Sequence, residues 1–483
     1  MAIEMTAFRF LAPYFGTTQL IITNIIGTIL LAISIGNWLG GKYGDKYPTP
    51  RGLSYILIAA SLLTMIIMLI NKPILNKAAT ALTEQNMLVF GLTLVVSVLL
   101  FSLPFVLLGM ISPYAIRVIT QSKEEVGKNA GTIYVLGTLG SLIGTYLPTF
   151  IFIPLIGSNK TLILFTTIIF VVGLLGLLKG KKNITGSALV LFILGAYFNG
   201  QSTAYAENVL DSKESIYNLI RIVKEGRKTK LYLNEGHGYH SVKIDDSILA
   251  EGVWDYFLGM PAMLPEQPEK MNVLIIGLAG GTISNLYTHF LGDRVHIDGV
   301  EIDAEITRLS AKHFSMGKKQ LDIYHEDGRT FLRGKRGPYD IIMIDAYKQP
   351  YVPWHLTTVE FFEACKKSLK PNGLLGINVA TLKKQSTIKD NLEVSLSKNF
   401  KELHNIKIEN FDIEFTNNII VASDVMPITK GLSQRFKAAP EDLMNRIQSK
   451  IEKVKLNPNA KAFTDDWAPV EWFVDLSLFD FFK

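Results

Sequence analysis

The sequence predicts two architectures in one chain: an α-helical membrane domain over residues 1–200, then a Rossmann-like α/β domain preceded by a small β-unit. Three observations predict this. Only five acids (Glu4, Asp45, Glu84, Glu124 and Glu125) fall before residue 200, whereas all 8 His residues fall after it. Long apolar stretches crowd the first 200 residues. From about residue 272, apolar strand-like runs alternate with helical stretches. The chain therefore divides into 1–200, a linker and β-unit over 201–264, the Rossmann-like domain over 265–425, and a helical extension and tail over 426–483.

A membrane span needs about 20 mostly apolar residues. Six segments qualify: 19–39, 53–71, 87–110, 130–156, 161–178 and 184–200, the last at the lower limit. Residues 1–15 are too short to cross and carry Glu4 and Arg9, which predicts a half-helix or an interfacial helix. Those two ionisable residues fit a transport path and a half-inserted terminus equally well. Gly36, Gly40 and Gly44, then Gly140 and Gly144, recur at four-residue spacing, which lets helix backbones approach closely in lipid. The stretch GNWLGGKYGDKY is similar to the short loop after an early helix of major-facilitator transporters.

Loops 40–52, 111–129 and 179–183 carry nine Lys or Arg, against three in the alternate loops. The positive-inside rule places the first set in the cytoplasm. If 184–200 crosses, the soluble domain emerges outside; if it only dips in, the domain stays inside. A nucleotide chemistry needs cytoplasmic substrates, so the expectation is an integral protein of the cell membrane with a cytoplasmic soluble domain.

In the soluble half, SIYNLIRIV (215–223), KLYLN (230–234) and YHSVKI (239–244) read as a small antiparallel β-unit, with helix over 252–264. MNVLIIG (271–277) is a continuous apolar run, as a strand buried on both faces requires. Helix over 282–291, strand VHIDGVEID (295–303) and helix over 304–313 follow. LDIYHED (321–327), YDIIMID (339–345), GLLGINV (373–379) and NNIIVAS (417–423) supply further strands of a doubly wound parallel sheet. Ligands of such sheets bind at the carboxyl ends of the strands, so candidate residues should stand just after them.

They do. Gly277, Gly280 and Gly281 form a turn that closes the first of these strands and opens a helix, where backbone N–H groups are unpaired. Glu301 ends the second strand, the place of an acid that accepts from ribose hydroxyls. Asp327 and Gly328, in HEDGRTF, end the third, where a carboxylate can hold an adenine amino group. Asp345, in MIDAYKQP, ends the fourth, facing whatever reacts beside the nucleoside. Each acid alone could be a helix cap or a loop anchor. Four features in order at four strand ends point to an adenosine-type site, and the lack of a phosphate-binding Lys suits an S-adenosyl cofactor better than ATP.

The totals exclude other classes. The net charge of +6 is explained by loops between apolar segments, and no basic run or finger spacing suggests nucleic acid. One cysteine, Cys365, forbids an intrachain disulfide and reads as a half-buried structural thiol on a helix. His237, His240 and His355 lack further ligands at metal-binding spacing and read as surface or loop residues, so no metal is expected. Asp465 and Asp466 read as locks on a terminal segment.

On these residues, the stretch from about 210 to 425 resembles the spermidine synthase family, aminopropyltransferases on a methyltransferase-type Rossmann fold. With SPYAIR, AGTIYVLGTLGSLIGTYLP, VPWHLTTVEFF and TDDWAPVEWF, the whole chain resembles its membrane-fused members. The resemblance implies that Gly277 to Gly281 cradle the methionine-derived part of decarboxylated S-adenosylmethionine or S-adenosylmethionine. It implies Glu301 for the ribose, Asp327 for the adenine, Asp345 as catalytic acid position and Tyr217, in ESIYN, as the tyrosine before the active-site strand. Partners would be an amine or a lipid-soluble acceptor and the bilayer; a homo-oligomer is left open. The chain also departs from the family: Gly280 replaces an aspartate, Asn218 a glutamine, and Lys348 a second acid. Negative charge is thereby lost where a polyamine should bind, which keeps methyl transfer, and a transporter or sensor with a nucleoside- or polyamine-binding soluble domain, as alternatives.

Overall fold

A computed structural model describes all residues except 16–18, 85–88, 178–192, 194–207, 235–237, 335, 348–351, 383–386, 410–414 and 475–483. The chain forms two compact units: Met1–Glu207 with Glu214–Leu219, and Asn208–Lys213 with most of Ile220–Phe481.

In the N-terminal unit α1 (Ala2–Phe15) is short, and α2 (Gln19–Lys46), α3 (Pro50–Glu84), α4 (Val89–Ile119), α5 (Val126–Leu147) and α6 (Ser158–Leu177) are long. Five helical stretches are long and apolar enough to cross a membrane: Ile21–Lys46, Pro50–Asn71, Gly91–Ile119, Lys123–Ile156 and Ser158–Leu177. They match the first five predicted spans; 184–200, apart from Ile193, lies outside the described residues. The small-residue repeat on α2 does pack: a Cβ on Gly36, Gly40 or Gly44 would meet Val106, Met110 or Tyr114 of α4 at 2.1, 2.4 and 3.3 Å. Gly144 packs against α1, while Gly140 faces open space. Pro148–Phe152 widens to a π-helix where Pro148 cannot donate its missing N–H.

In the second unit β1 (Val209–Glu214), β2 (Leu219–Glu225), β3 (Lys228–Leu233) and β4 (Tyr239–Ile244) make a four-stranded sheet. The predicted linker thus contains a strand: VLDSKE is polar, but its backbone is paired at the sheet edge. Residues 215–218, read as strand, form instead the β1–β2 connection, because the Ser215 hydroxyl accepts from the N–H groups of Tyr217 and Asn218 at 3.0 and 2.9 Å. Two short helical turns, Val253–Tyr256 and Gly259–Met263, follow.

The main sheet has eight strands in the order β12-β10-β11-β9-β8-β5-β6-β7. Strands β5 (Met271–Ile276), β6 (Val295–Val300), β7 (Leu321–Tyr324), β8 (Tyr339–Ile344) and β9 (Leu369–Leu382) are parallel. Strands β10 (Glu402–Glu409), β11 (Phe415–Ser423) and β12 (Ile451–Lys453) add an antiparallel edge, so the sheet is mixed rather than wholly parallel. Helices α7 (Thr282–Leu291), α8 (Ala304–His313), α9 (Gly328–Arg333), α10 (Val359–Ser368) and α11 (Thr387–Ser397) follow their strands. Strand β8 is buried at every position, as a central strand covered on both faces must be. Cys365 is wholly buried within α10, and burial pushes its thiol up, which makes it inert packing rather than half-exposed.

Candidate active site at the strand carboxyl ends

The glycine turn is shaped by contact with its neighbours. Gly277 has φ +89°, and a Cβ there would stand 2.5 Å from the Asp345 carbonyl oxygen. Only glycine lets the end of β5 lie this close to the end of β8. Gly281, also left-handed, is the residue before α7. The turn's N–H groups are already organised: Ala279 donates to Glu301 Oε2 at 2.9 Å and Gly280 to Ser241 Oγ at 2.8 Å. The small β-unit is thus one wall of the site, since Thr282 Oγ1 also donates to the Val242 carbonyl at 3.2 Å.

Glu301 leaves β6 and joins the turn to α8, accepting from Ala279 N–H and, through Oε1, from Asp303 N–H at 3.1 Å. Burial pushes its carboxyl up to about 7, opposed by those backbone donors. Asp327 caps α9: its Oδ1 accepts from Arg329 and Thr330 N–H, both at 3.0 Å. His355 Nε2 lies 2.8 Å from its Oδ2, and this bond holds the carboxyl below its ordinary value. A Cβ on Gly328 would meet Ile276 Cγ2 at 2.4 Å, so glycine seats α9 against β5.

Asp345 follows β8 directly. Its Oδ2 accepts from Trp254 Nε1–H and its Oδ1 from Asn378 Nδ2–H, both at 2.9 Å. Burial pushes its carboxyl up to about 6, and the two neutral donors only partly offset that. The other amide atom, Asn378 Oδ1, is buried and unpartnered. Tyr347 braces this corner by donating to the Asn378 carbonyl at 3.0 Å and accepting from Ala380 N–H at 2.8 Å.

The structure therefore gathers Gly277, Gly280, Gly281, Glu301, Asp327, Gly328 and Asp345 at adjoining strand ends. Tyr217 lies in the segment 214–219, which belongs to the N-terminal unit, and is 46% exposed. Trp254, Asn378, Ser241 and His355 are the additions that sequence reasoning missed. His355 is a loop residue, in the turn Trp354–Leu356, and His240 stands on β4, where burial lowers its pKa to about 4. His237 and Lys348 lie outside the described residues. Among the described residues one trio of metal-ligating type exists, His296, Asp298 and Asp322, on β6 and β7 away from the strand ends that make the site. Asp465 is a lock, as expected: it pairs with both terminal nitrogens of Arg329 at 2.7 and 2.5 Å and accepts from Thr358 Oγ1 at 2.8 Å.

Gly280 is enforced. A Cβ there would meet Ser241 Cβ at 2.5 Å and Phe314 Cδ1 at 3.2 Å, so the aspartate of the family cannot stand at this position while Ser241 keeps its place.

With this geometry in hand, comparison with known proteins is direct. The spermine/spermidine synthase domain family matches residues 255–409. Over these residues the chain is similar to a spermine/spermidine synthase domain. That stretch covers β5 to β10 and every strand-end acid named above. A probable polyamine aminopropyl transferase of Bifidobacterium longum is 27% identical over 283 residues, 55% of this chain and 62% of its own length. A polyamine aminopropyltransferase of Vibrio vulnificus is 25% identical over 287 residues, 58% of this chain and 91% of its own. The chain thus spans less than two thirds of the Bifidobacterium relative. A probable spermidine synthase of Corynebacterium glutamicum, solved as a crystal structure, aligns with 55% of this chain and 97% of its own at 18% identity and a TM-score of 0.45.

Proposed function

We propose that the protein is a membrane-bound transferase that moves an aminopropyl or related alkyl group from decarboxylated S-adenosylmethionine to an amine. The observation that supports it most is Asp345: a buried carboxyl beside the glycine turn, held, among the described residues, by two neutral donors. The nucleoside end of the donor would be held by Glu301 and the turn, with Asp327 at the far edge.

The chemistry asks little of the protein beyond placement. An amine nitrogen attacks the carbon attached to the sulfonium, a C–N bond forms, the C–S bond breaks and a neutral thioether nucleoside leaves. The amine then loses one proton. Asp345, ionised above about pH 6, is suited to take it at neutral pH. Most of the rate would come from alignment of the two partners.

Methyl transfer from intact S-adenosylmethionine is the second reading, favoured by one observation: Ser241 excludes the aspartate that would hold a free aminopropyl group. The test of the first reading is Asp345→Asn. Turnover should fall by about 10³ while donor affinity stays within about threefold of wild type. Equal turnover in the variant would refute the assignment.

A further inference from the structure

The helical unit contains buried polar atoms that its own packing does not use. Most hydroxyls in this bundle donate to a carbonyl one turn back on the same helix, as Ser61 does to Ile58, Thr64 to Ala60, Thr161 to Gly157 and Thr167 to Ile163. Thr28, Ser97 and Thr166 do not. Their hydroxyl oxygens, and Asn71 Oδ1, are buried without any partner. The four residues are 5, 0, 0 and 2% exposed. Unpaired polar groups in such a place are costly and call for a bound partner.

They also stand at one height along the bundle. Helices α2 and α4 run parallel, because Gly36, Gly40 and Gly44 meet Val106, Met110 and Tyr114 in rising order. Asn24 Nδ2 donates to Thr93 Oγ1 at 2.8 Å across this pair, and Thr28 and Ser97 lie one turn further along each helix. Helices α3 and α6 run antiparallel, since Gly173 meets Ile58 and Gly176 meets Ser54. Gly52 of α3 meets the Tyr114 hydroxyl of α4, which ties the two pairs to one level. Counting from there at about 1.5 Å per residue, all four groups fall within about 10 Å of bundle axis. Ile25, Ile29, Met68, Leu100 and Phe170 belong to the apolar core around them. Glu4, on α1, is the one charged side chain among the buried described residues of this unit, and its Oε2 stands 4.0 Å from the Met1 ammonium, the cation an amine would replace.

We propose that this seam binds an aliphatic di- or polyamine. Hydroxyl and amide oxygens accept from ammonium N–H groups, the Glu4 carboxylate supplies counter-charge, and the apolar core takes the methylenes. The inference rests on the reading of the synthase half as an amine-using enzyme, and gives its membrane half a hold on the same class of molecule.

The test is equilibrium binding of radiolabelled spermidine to the full chain in lipid nanodiscs. Thr28→Val combined with Ser97→Ala should weaken binding about tenfold, and so should Thr166→Val with Asn71→Leu. Neither pair should change turnover at saturating amine in detergent. Asp345→Asn should retain binding at the seam. Melting curves identify any pair that fails to fold, in which case the other pair decides. Unchanged affinity in a folded pair would show that the seam holds only water. Loss of all spermidine binding in Asp345→Asn would assign the amine to the synthase half and overturn the proposal. If the seam variants lose binding but the wild type forms no thioether nucleoside, the seam stands and the transferase reading fails.

Discussion

The carboxyl ends of β7 and β8 each carry an aspartate, and the two sit in opposite electrical settings. Asp327 caps a helix and bonds His355, beside the Arg329–Asp465 pair. Among the described residues, Asp345 accepts from an indole and an amide. The first carboxyl is held below its ordinary pKa and the second is pushed up to about 6. Hydrogen-bonding partners make Asp327 an anion that organises structure, whereas burial beside two neutral donors leaves Asp345 a group that gains or loses a proton near neutrality. The same residue type at equivalent strand ends thus serves two ends, and only the surroundings distinguish them.

Removing a donor from Asp345 should sharpen that contrast most. Trp254→Phe keeps the ring and deletes the N–H, which raises the Asp345 pKa further above its ordinary value. The acid limb of kcat/KM should move up by about one pH unit, with about fivefold loss at pH 6 and recovery above pH 8. A profile that keeps its shape would mean that the indole only fills space. Next is the missing anion in the glycine turn. Gly280→Asp alone should fold poorly, because its Cβ meets Ser241; Ser241→Gly with Gly280→Asp should fold. The double variant should prefer the decarboxylated donor over S-adenosylmethionine by about tenfold more than wild type does, measured by competition. No change in preference would detach this position from donor recognition.

On the Asp327 side the effects belong to stability. Arg329→Met removes the paired contact with Asp465, which is 41% exposed, and should cost about 1 kcal/mol, read as a melting shift of a few degrees. Smaller still is His355→Gln. The folded-state pKa of Asp327 is depressed, so the stability it contributes is present above the ordinary Asp pKa and is lost as pH falls through the folded value. The melting difference between wild type and His355→Gln should therefore shrink from pH 6 towards pH 3. A constant difference would assign His355 a packing role.

What could be read from the sequence follows from how each feature is encoded. Gly277, Glu301, Asp327 and Asp345 are legible because strand ends are local signals and the rule for ligand position is general. Trp254 and Asn378 are not: they lie 91 and 33 positions from Asp345, and only the sheet order brings them to it. Ser241 comes from the separate small sheet, so its grip on Gly280 had no local trace. Strand β1 is hidden by its polar residues, and β10 and β12 by lying on an antiparallel edge, where β12 is only three residues long. The five apolar helices were plain from length and composition, whereas their unpaired Thr28, Ser97, Thr166 and Asn71 emerge only when their partners are sought.

The central claim is alkyl transfer from an S-adenosyl donor to an amine. It is tested most directly by incubating the purified full chain with each donor form separately, plus a polyamine and lipid extract, and identifying the nucleoside product by mass. Methylthioadenosine from the decarboxylated donor is the predicted result. S-adenosylhomocysteine from the intact donor, with no methylthioadenosine, would contradict it and make the protein a methyltransferase.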